Sequence, residues 1–252
     1  MKLLFRHFLS RTLLLSLIPM ACAAQSPSPS AAPRESLPVT VFKNLEAGKK
    51  QTVIAFGTSL TEHGEWVNAV HQYFDKQFPG LVTFINSGGS GQTSEWGVAN
   101  VQPKVLAYKP DLVFVEFSVN DAATKHNISM DKSQANLDAI VKALRQQNPR
   151  VDIVLQTMNS AWDSPNEPSH KKYASDRPHL EDYYAVYRKY AHDHNLPLVD
   201  NYPKWHELQH TDEAKFEKWL PEGLHPIPEA SLAVTWQNIQ ALLEKARNAA
   251  AH

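Results

Sequence analysis

The chain has 252 residues, with 25 Lys and Arg against 26 Asp and Glu and a formal charge of −1. That balance excludes a surface built to hold nucleic acid, which needs a basic excess. With 42% hydrophobic and 20% charged residues, the chain can bury a core and is not a disordered polymer, and its length suits one α/β domain. At the amino end, Lys2, Arg6 and Arg11 flank the apolar run Leu13-Leu14-Leu15-Ser16-Leu17-Ile18, and small residues follow at Ala21-Cys22-Ala23-Ala24. This is the pattern of an export signal over residues 1–24, cleaved after Ala23 or Ala24, and it predicts a secreted or periplasmic protein. Removing the signal takes three of the basic residues and none of the acidic ones, leaving a net charge of −4. The one cysteine, Cys22, leaves with it. Lipid attachment at Cys22 is the alternative, although Pro19-Met20-Ala21 is a poor lead-in for it. No apolar run reaches the roughly 18 residues of a membrane span. Residues 25–39, rich in Pro, Ser and Ala, read as a tether without a packing pattern, and residues 40–252 as the folded domain.

Thr52-Val53-Ile54-Ala55-Phe56 stops at Gly57, as a buried strand does. Trp66, Val67, Val70, Tyr73, Phe74 and Phe78 recur at helical spacing. Leu81 to Ile85 is a second strand, and Ser94 to Tyr108 a helix interrupted at Pro103. Leu112 to Phe117 is a third strand, followed by a helix with its apolar face at Leu137, Ile140, Val141 and Leu144. Val151 to Thr157 gives a fourth strand, Leu180 to Ala191 a helix, and Pro197 to Val199 a short fifth strand. Leu232, Trp236, Ile239, Leu243 and Ala246 stripe a terminal helix. Strands alternating with helices at this spacing predict βαβ units and a parallel sheet. Ligands of such sheets bind beyond the carboxyl ends of the strands, so chemistry is expected just after them.

Gly57-Thr58-Ser59-Leu60-Thr61 follows the first strand. A serine on a tight turn between a buried strand and a helix has its hydroxyl lifted above the sheet, although glycine and serine also punctuate ordinary turns. Asn86-Ser87-Gly88-Gly89-Ser90-Gly91-Gln92-Thr93 follows the second strand, and its glycines let backbone N–H groups approach a ligand. It fits neither a dinucleotide fingerprint nor a P-loop. Ser118-Val119-Asn120-Asp121 follows the third strand, where an Asn amide can face a developing oxyanion or simply form an Asx turn. Glu222-Gly223-Leu224-His225-Pro226 precedes the terminal helix, with a carboxylate and an imidazole three residues apart. The acid can hold one ring nitrogen and leave the other to take a proton from Ser59.

In this order the blocks resemble the SGNH (GDSL) hydrolase family, over Val53 to about Pro226. The resemblance implies a three-layer α/β/α, flavodoxin-like fold with a parallel five-stranded sheet. It also implies ester hydrolysis through an acyl-enzyme on Ser59, with His225 as general base and then acid, and Glu222 as the residue orienting the imidazole. The oxyanion hole would be Ser59, Gly91 and Asn120, and no metal or organic cofactor is implied. The chain departs from the family pattern at Thr58, where Asp is usual, at Ser118, where Gly is usual, and at Glu222, which replaces Asp.

His206-Glu207-Leu208-Gln209-His210 matches the H-E-x-x-H zinc motif letter for letter. It lies between Pro203 and Pro221, a cramped place for the long helix of such a site. The expected activity is hydrolysis of short acyl esters, foremost acetyl, on a carbohydrate, with Trp66, Trp96 and Trp162 as candidate sugar-stacking faces. A lysophospholipase or acyl thioesterase of the same family is the alternative. A non-catalytic carbohydrate-binding member is a further one, with decay read from Thr58, Ser118 and Glu222. The expected partner is a small-molecule or oligosaccharide ester.

Overall fold

Five short runs of apolar, often β-branched residues make the sheet: β1 (Gln51–Gly57), β2 (Val82–Asn86), β3 (Leu112–Glu116), β4 (Asp152–Thr157) and β5 (Leu198–Asp200). They pair in the order β2-β1-β3-β4-β5, every pair parallel, with Val53 opposite Phe84, Ala55 opposite Phe114 and Val113 opposite Ile153. The computed structural model describes residues 36–252; the segment expected to be an export signal, and the expected tether up to residue 35, lie outside the described residues.

Side chains alternate across the pleat, and both faces are covered. Val53, Ala55, Leu112, Phe114 and Val154 pack with buried residues of the helices Val39–Glu46, Glu65–Gln77 and Gln237–Ala250. Ile54, Phe56, Val113, Val115, Ile153 and Leu155 pack with the helices Ser94–Lys104, Met130–Gln147 and Leu180–Asp193. Each such Val, Leu, Ile or Phe side chain contributes about 1.5–3 kcal/mol by leaving water. This is a three-layer α/β/α arrangement around the parallel sheet that the apolar runs predict, as the family resemblance implies.

Ser36, Leu37, Pro38 and Val39, read from composition as the end of the tether, belong to the fold. Pro38 is buried, and the Ser36 hydroxyl donates to the Asn195 carbonyl at 2.8 Å. The helix over Ser94–Lys104 contains Pro103 in its last turn and breaks only afterwards, into the 3₁₀ turn Leu106–Tyr108. The terminal helix starts at Pro228–Ser231 and passes through a π turn, Leu232–Trp236, before Gln237–Ala250. The strand order reverses between β1 and β3, where an open parallel sheet leaves a crevice at its carboxyl edge.

Candidate active site

β1 ends at Gly57, Thr58 is extended, and one helical turn, Ser59–Glu62, follows at once. The Thr58 hydroxyl caps that turn by accepting the Leu60 N–H at 3.2 Å. Gly57 cannot carry a side chain, because a Cβ would fall inside van der Waals contact of Glu116 Oε1, Thr61 Oγ1 and the Glu116 carbonyl. This close approach lets Glu116, the last residue of β3, hold the turn from beneath. Its Oε1 accepts from the Thr58 N–H at 2.6 Å, the Thr58 hydroxyl at 3.0 Å and the Thr61 hydroxyl at 2.6 Å. Glu116 is fully buried, and burial pushes its carboxyl up to about 7. Thr58 therefore ties the serine turn to β3.

The loop after β2 is fastened to the same turn. The Ser90 N–H and hydroxyl donate to Glu62 Oε2, and the Gly89 N–H donates to the Gly57 carbonyl at 2.9 Å. Gly91 sits at φ +72, the left-handed region, with open space where a Cβ would be. The turn after β3 is a short helix, Ser118–Asp121, begun by a buried Ser118. It grips the β2 loop twice, through Asn120 Nδ2 donating to the Gln92 carbonyl at 2.9 Å and Asp121 Oδ1 accepting the Ser94 N–H at 2.8 Å. The Ser59 and Gly91 N–H groups find no acceptor among the described residues, and one N–H of the Asn120 amide is likewise unspent.

The fourth segment closes the arrangement. Ser59 Oγ lies 2.8 Å from His225 Nε2, and His225 Nδ1 lies 2.8 Å from Glu222 Oε1. Glu222 also accepts the backbone N–H groups of Leu224 and His225. The carboxylate thus folds back onto its own turn, which accommodates the methylene by which Glu exceeds Asp. Burial pushes the Glu222 carboxyl up, but the hydrogen bonds from His225 and its charge outweigh that and hold it below its ordinary value. An ionised acid on Nδ1 keeps the proton there and turns the Nε2 lone pair to the Ser59 hydroxyl. Ser59, Gly91, Asn120 and His225 all line one cavity of about 470 Å³. A serine polarised by an imidazole, beside unspent N–H donors, is an arrangement able to attack an acyl carbon and hold the oxyanion.

The tryptophans are placed otherwise than as stacking faces. Trp66 is 1% exposed, donates from Nε1 to the Leu60 carbonyl at 2.8 Å and meets Phe114 edge-on. It lines the cavity from this buried position. Trp96 packs on Phe56 and Phe117, while Trp162 packs on Phe216 and donates to the Leu220 carbonyl at 2.7 Å. Neither of these two lines the cavity. Aromatic rings here satisfy the core first. Tyr173 also lines the cavity, edge-on to the His225 ring at 6.2 Å between centroids. His206 and His210 lie on the helix Tyr202–Thr211 with their rings 4.3 Å apart, His210 Nδ1 bonded to the His206 carbonyl. Among the described residues no third His, Cys, Asp or Glu converges with them.

Three neighbours of the site went unread in the sequence: Glu116, Tyr173 and Arg177. An acid closing an otherwise apolar strand was a visible signal for Glu116, since carboxylates are rarely buried. Tyr173 and Arg177 lie in the polar segment after β4, where nothing in the local pattern marks them.

Solved structures share this architecture. The acetylxylan esterase Axe2 of Geobacillus stearothermophilus aligns with a TM-score of 0.63 at 20% identity, covering 77% of this chain and 94% of that one. A lipase/acylhydrolase of Enterococcus faecalis aligns at 0.60 and 22%, covering 78% and 95%. These likenesses establish the fold. In sequence, the uncharacterised lipoprotein YqeF of Bacillus subtilis (strain 168) is 26% identical over 232 residues, 79% of this chain and 92% of its own length. The model of the GDSL-like lipase/acylhydrolase family matches residues 55–233, from β1 through the serine, Asn and His turns into the π turn. The chain therefore belongs to the GDSL-like lipase/acylhydrolase family.

Proposed function

We propose that the protein is a serine esterase that removes short acyl groups, foremost acetyl, from a carbohydrate. The observation carrying the reading is the continuous chain from Ser59 Oγ through His225 to Glu222, at 2.8 Å for each link, opening on the cavity. In this reaction Ser59 Oγ bonds to the acyl carbon as His225 Nε2 takes its proton. The carbonyl oxygen becomes an oxyanion held by the N–H groups of Ser59, Gly91 and Asn120, each donor contributing on the order of 3 kcal/mol to the transition state. The tetrahedral intermediate collapses, the alcohol departs with the proton from His225, and water then cleaves the acyl-enzyme by the same steps.

The substrate class rests on the lining. Leu60, Met158 and Leu224, each nearly fully buried, make a shallow apolar floor suited to a small acyl group. The exposed part of the lining is polar, with His63, Ser90, Lys125 and Lys171 suited to a hydroxyl-rich alcohol. The Geobacillus neighbour is an acetylxylan esterase, and its ester is of the kind this lining favours. Export is part of the proposal, supported by the leader pattern and by a relative named as a lipoprotein; cell fractionation checks it. Turnover of p-nitrophenyl esters of increasing chain length, beside an acetylated oligosaccharide, tests the substrate. Acetyl should be preferred over chains of eight or more carbons. Faster turnover of long chains would replace the carbohydrate reading with the lysophospholipase one.

A further inference from the structure

Arg177 is a buried cation without an ion pair among the described residues. It is 5% exposed, lines the cavity, and has no carboxylate within ion-pair reach among the described residues. A guanidinium is costly to bury, and its hydrogen bonds hold it there together with the nearby charges of Asp176 and Glu222. Nε donates to the Val119 carbonyl at 2.8 Å, Nη1 to the Tyr173 carbonyl at 3.3 Å and Nη2 to Asn120 Oδ1 at 3.2 Å. Two of the three go to the turn that carries Asn120. The Tyr173 ring lies 5.4 Å from the guanidinium, within cation–π range.

The consequence for Asn120 is specific. Arginine has donors only, so the amide oxygen must face it and the NH₂ must point away. One N–H is then taken by the Gln92 carbonyl, and the other remains for the cavity. A positive donor on the oxygen also polarises the amide and makes its free N–H a stronger donor. The segment that delivers Arg177 grips the other half of the site as well. The Trp162 N–H donates to the Gly223 carbonyl at 3.0 Å and the Ser164 hydroxyl to the Pro221 carbonyl at 2.7 Å, on either side of Glu222.

We propose that Arg177 is the positioning residue of the oxyanion hole: it fixes and polarises the Asn120 amide, and the segment between β4 and the helix Leu180–Asp193 sets that amide against the Glu222–His225 turn. This rests on the reading of Asn120 as an oxyanion donor. The test is a double-mutant cycle on p-nitrophenyl acetate hydrolysis with Arg177→Gln, Asn120→Ala and the pair, each checked by circular dichroism. Arg177→Gln should lower kcat tenfold to a hundredfold with KM changed less than threefold. In the Asn120→Ala background the same change should cost less than threefold more, because the group it acts through is gone. Arg177→Lys, which keeps the charge but not the fork, should fall between wild type and Gln, and it carries the cycle if the Gln variant does not fold. Losses that multiply in the pair, or a loss confined to KM, would overturn the proposal alone. An Asn120→Ala enzyme as fast as wild type, with Ser59→Ala still inactive, would instead remove Asn120 from the oxyanion hole, and this proposal with it.

Discussion

Glu222 Oε1 accepts the ring N–H of His225 and two backbone N–H groups of its own turn, so one oxygen fixes both the imidazole and the loop it stands on. Glu222→Gln keeps the shape but removes the charge that stabilises the imidazolium formed during attack, and its amide can present N–H to Nδ1 and favour the wrong tautomer. Ester hydrolysis should fall at least on the order of a hundredfold, mainly in kcat, in steady-state assays. Glu222→Asp shortens the reach within a turn built for the longer acid and should keep partial activity, well above Gln. A Gln variant near wild type would mean that Ser59 and His225 work as a dyad. Ser59, Gly91, Asn120 and His225 line one cavity, and Glu222 bonds the His225 ring; the motif letters single them out because each follows a strand end or precedes the terminal helix. Trp66 lines the cavity from a buried position while Trp96 and Trp162 lie outside its lining, and residue type alone cannot separate these placements.

Among elements, the joint between β1 and β3 is the most constrained. Gly57 leaves room for the Glu116 carboxylate, which holds Thr58 and Thr61 and through them the Ser59 turn. Gly57→Ala should displace that carboxylate, cost roughly 2–4 kcal/mol in denaturant unfolding as a buried, overpacked site does, and lower kcat more than KM. Undiminished stability and activity would show that the turn does not depend on Glu116. The segment after β4 shows the limit of composition. Its Asp163 is committed to the N–H groups of Ala174 and Ser175 within the segment, so only part of its polarity, Lys171 among it, faces the cavity. Strands were legible because a parallel sheet covered on both faces writes continuous apolar runs. The helices Tyr202–Thr211 and Glu213–Trp219 were not, because each is short and Pro203 looks like a breaker. Pro203 falls in the first turn, where a missing N–H costs nothing.

For the molecule as a whole, a buried acid that ionises near neutrality makes stability depend on pH. The Glu116 carboxyl rises from 4.5 to about 7 on folding, so the folded chain binds the extra proton between those values. Its contribution therefore declines as pH rises through that window. Glu116→Gln has no such titration. The unfolding free energy of Glu116→Gln relative to wild type should improve by up to about 3 kcal/mol between pH 5 and pH 8, read from denaturant melts at each pH. Parallel pH profiles for the two proteins would contradict this. Parallel βαβ units were foreseeable from strand and helix spacing, and the sheet order puts the β1 and β3 turns at the switch point. The supports beneath the site were not, because Glu116 and Arg177 meet their partners 58 and 57 residues away, beyond the reach of any local pattern.

In the proposed ester hydrolysis Ser59 is the nucleophile, and the most direct measurement of that role is active-site labelling by a fluorophosphonate coupled to p-nitrophenyl acetate hydrolysis. Wild type should be labelled at Ser59 in a peptide map and lose activity in step with labelling. Ser59→Ala should take no label, hydrolyse no ester above background and unfold at the wild-type denaturant concentration within error. Ester hydrolysis that survives in a folded Ser59→Ala variant, or label found on another residue, would contradict the account.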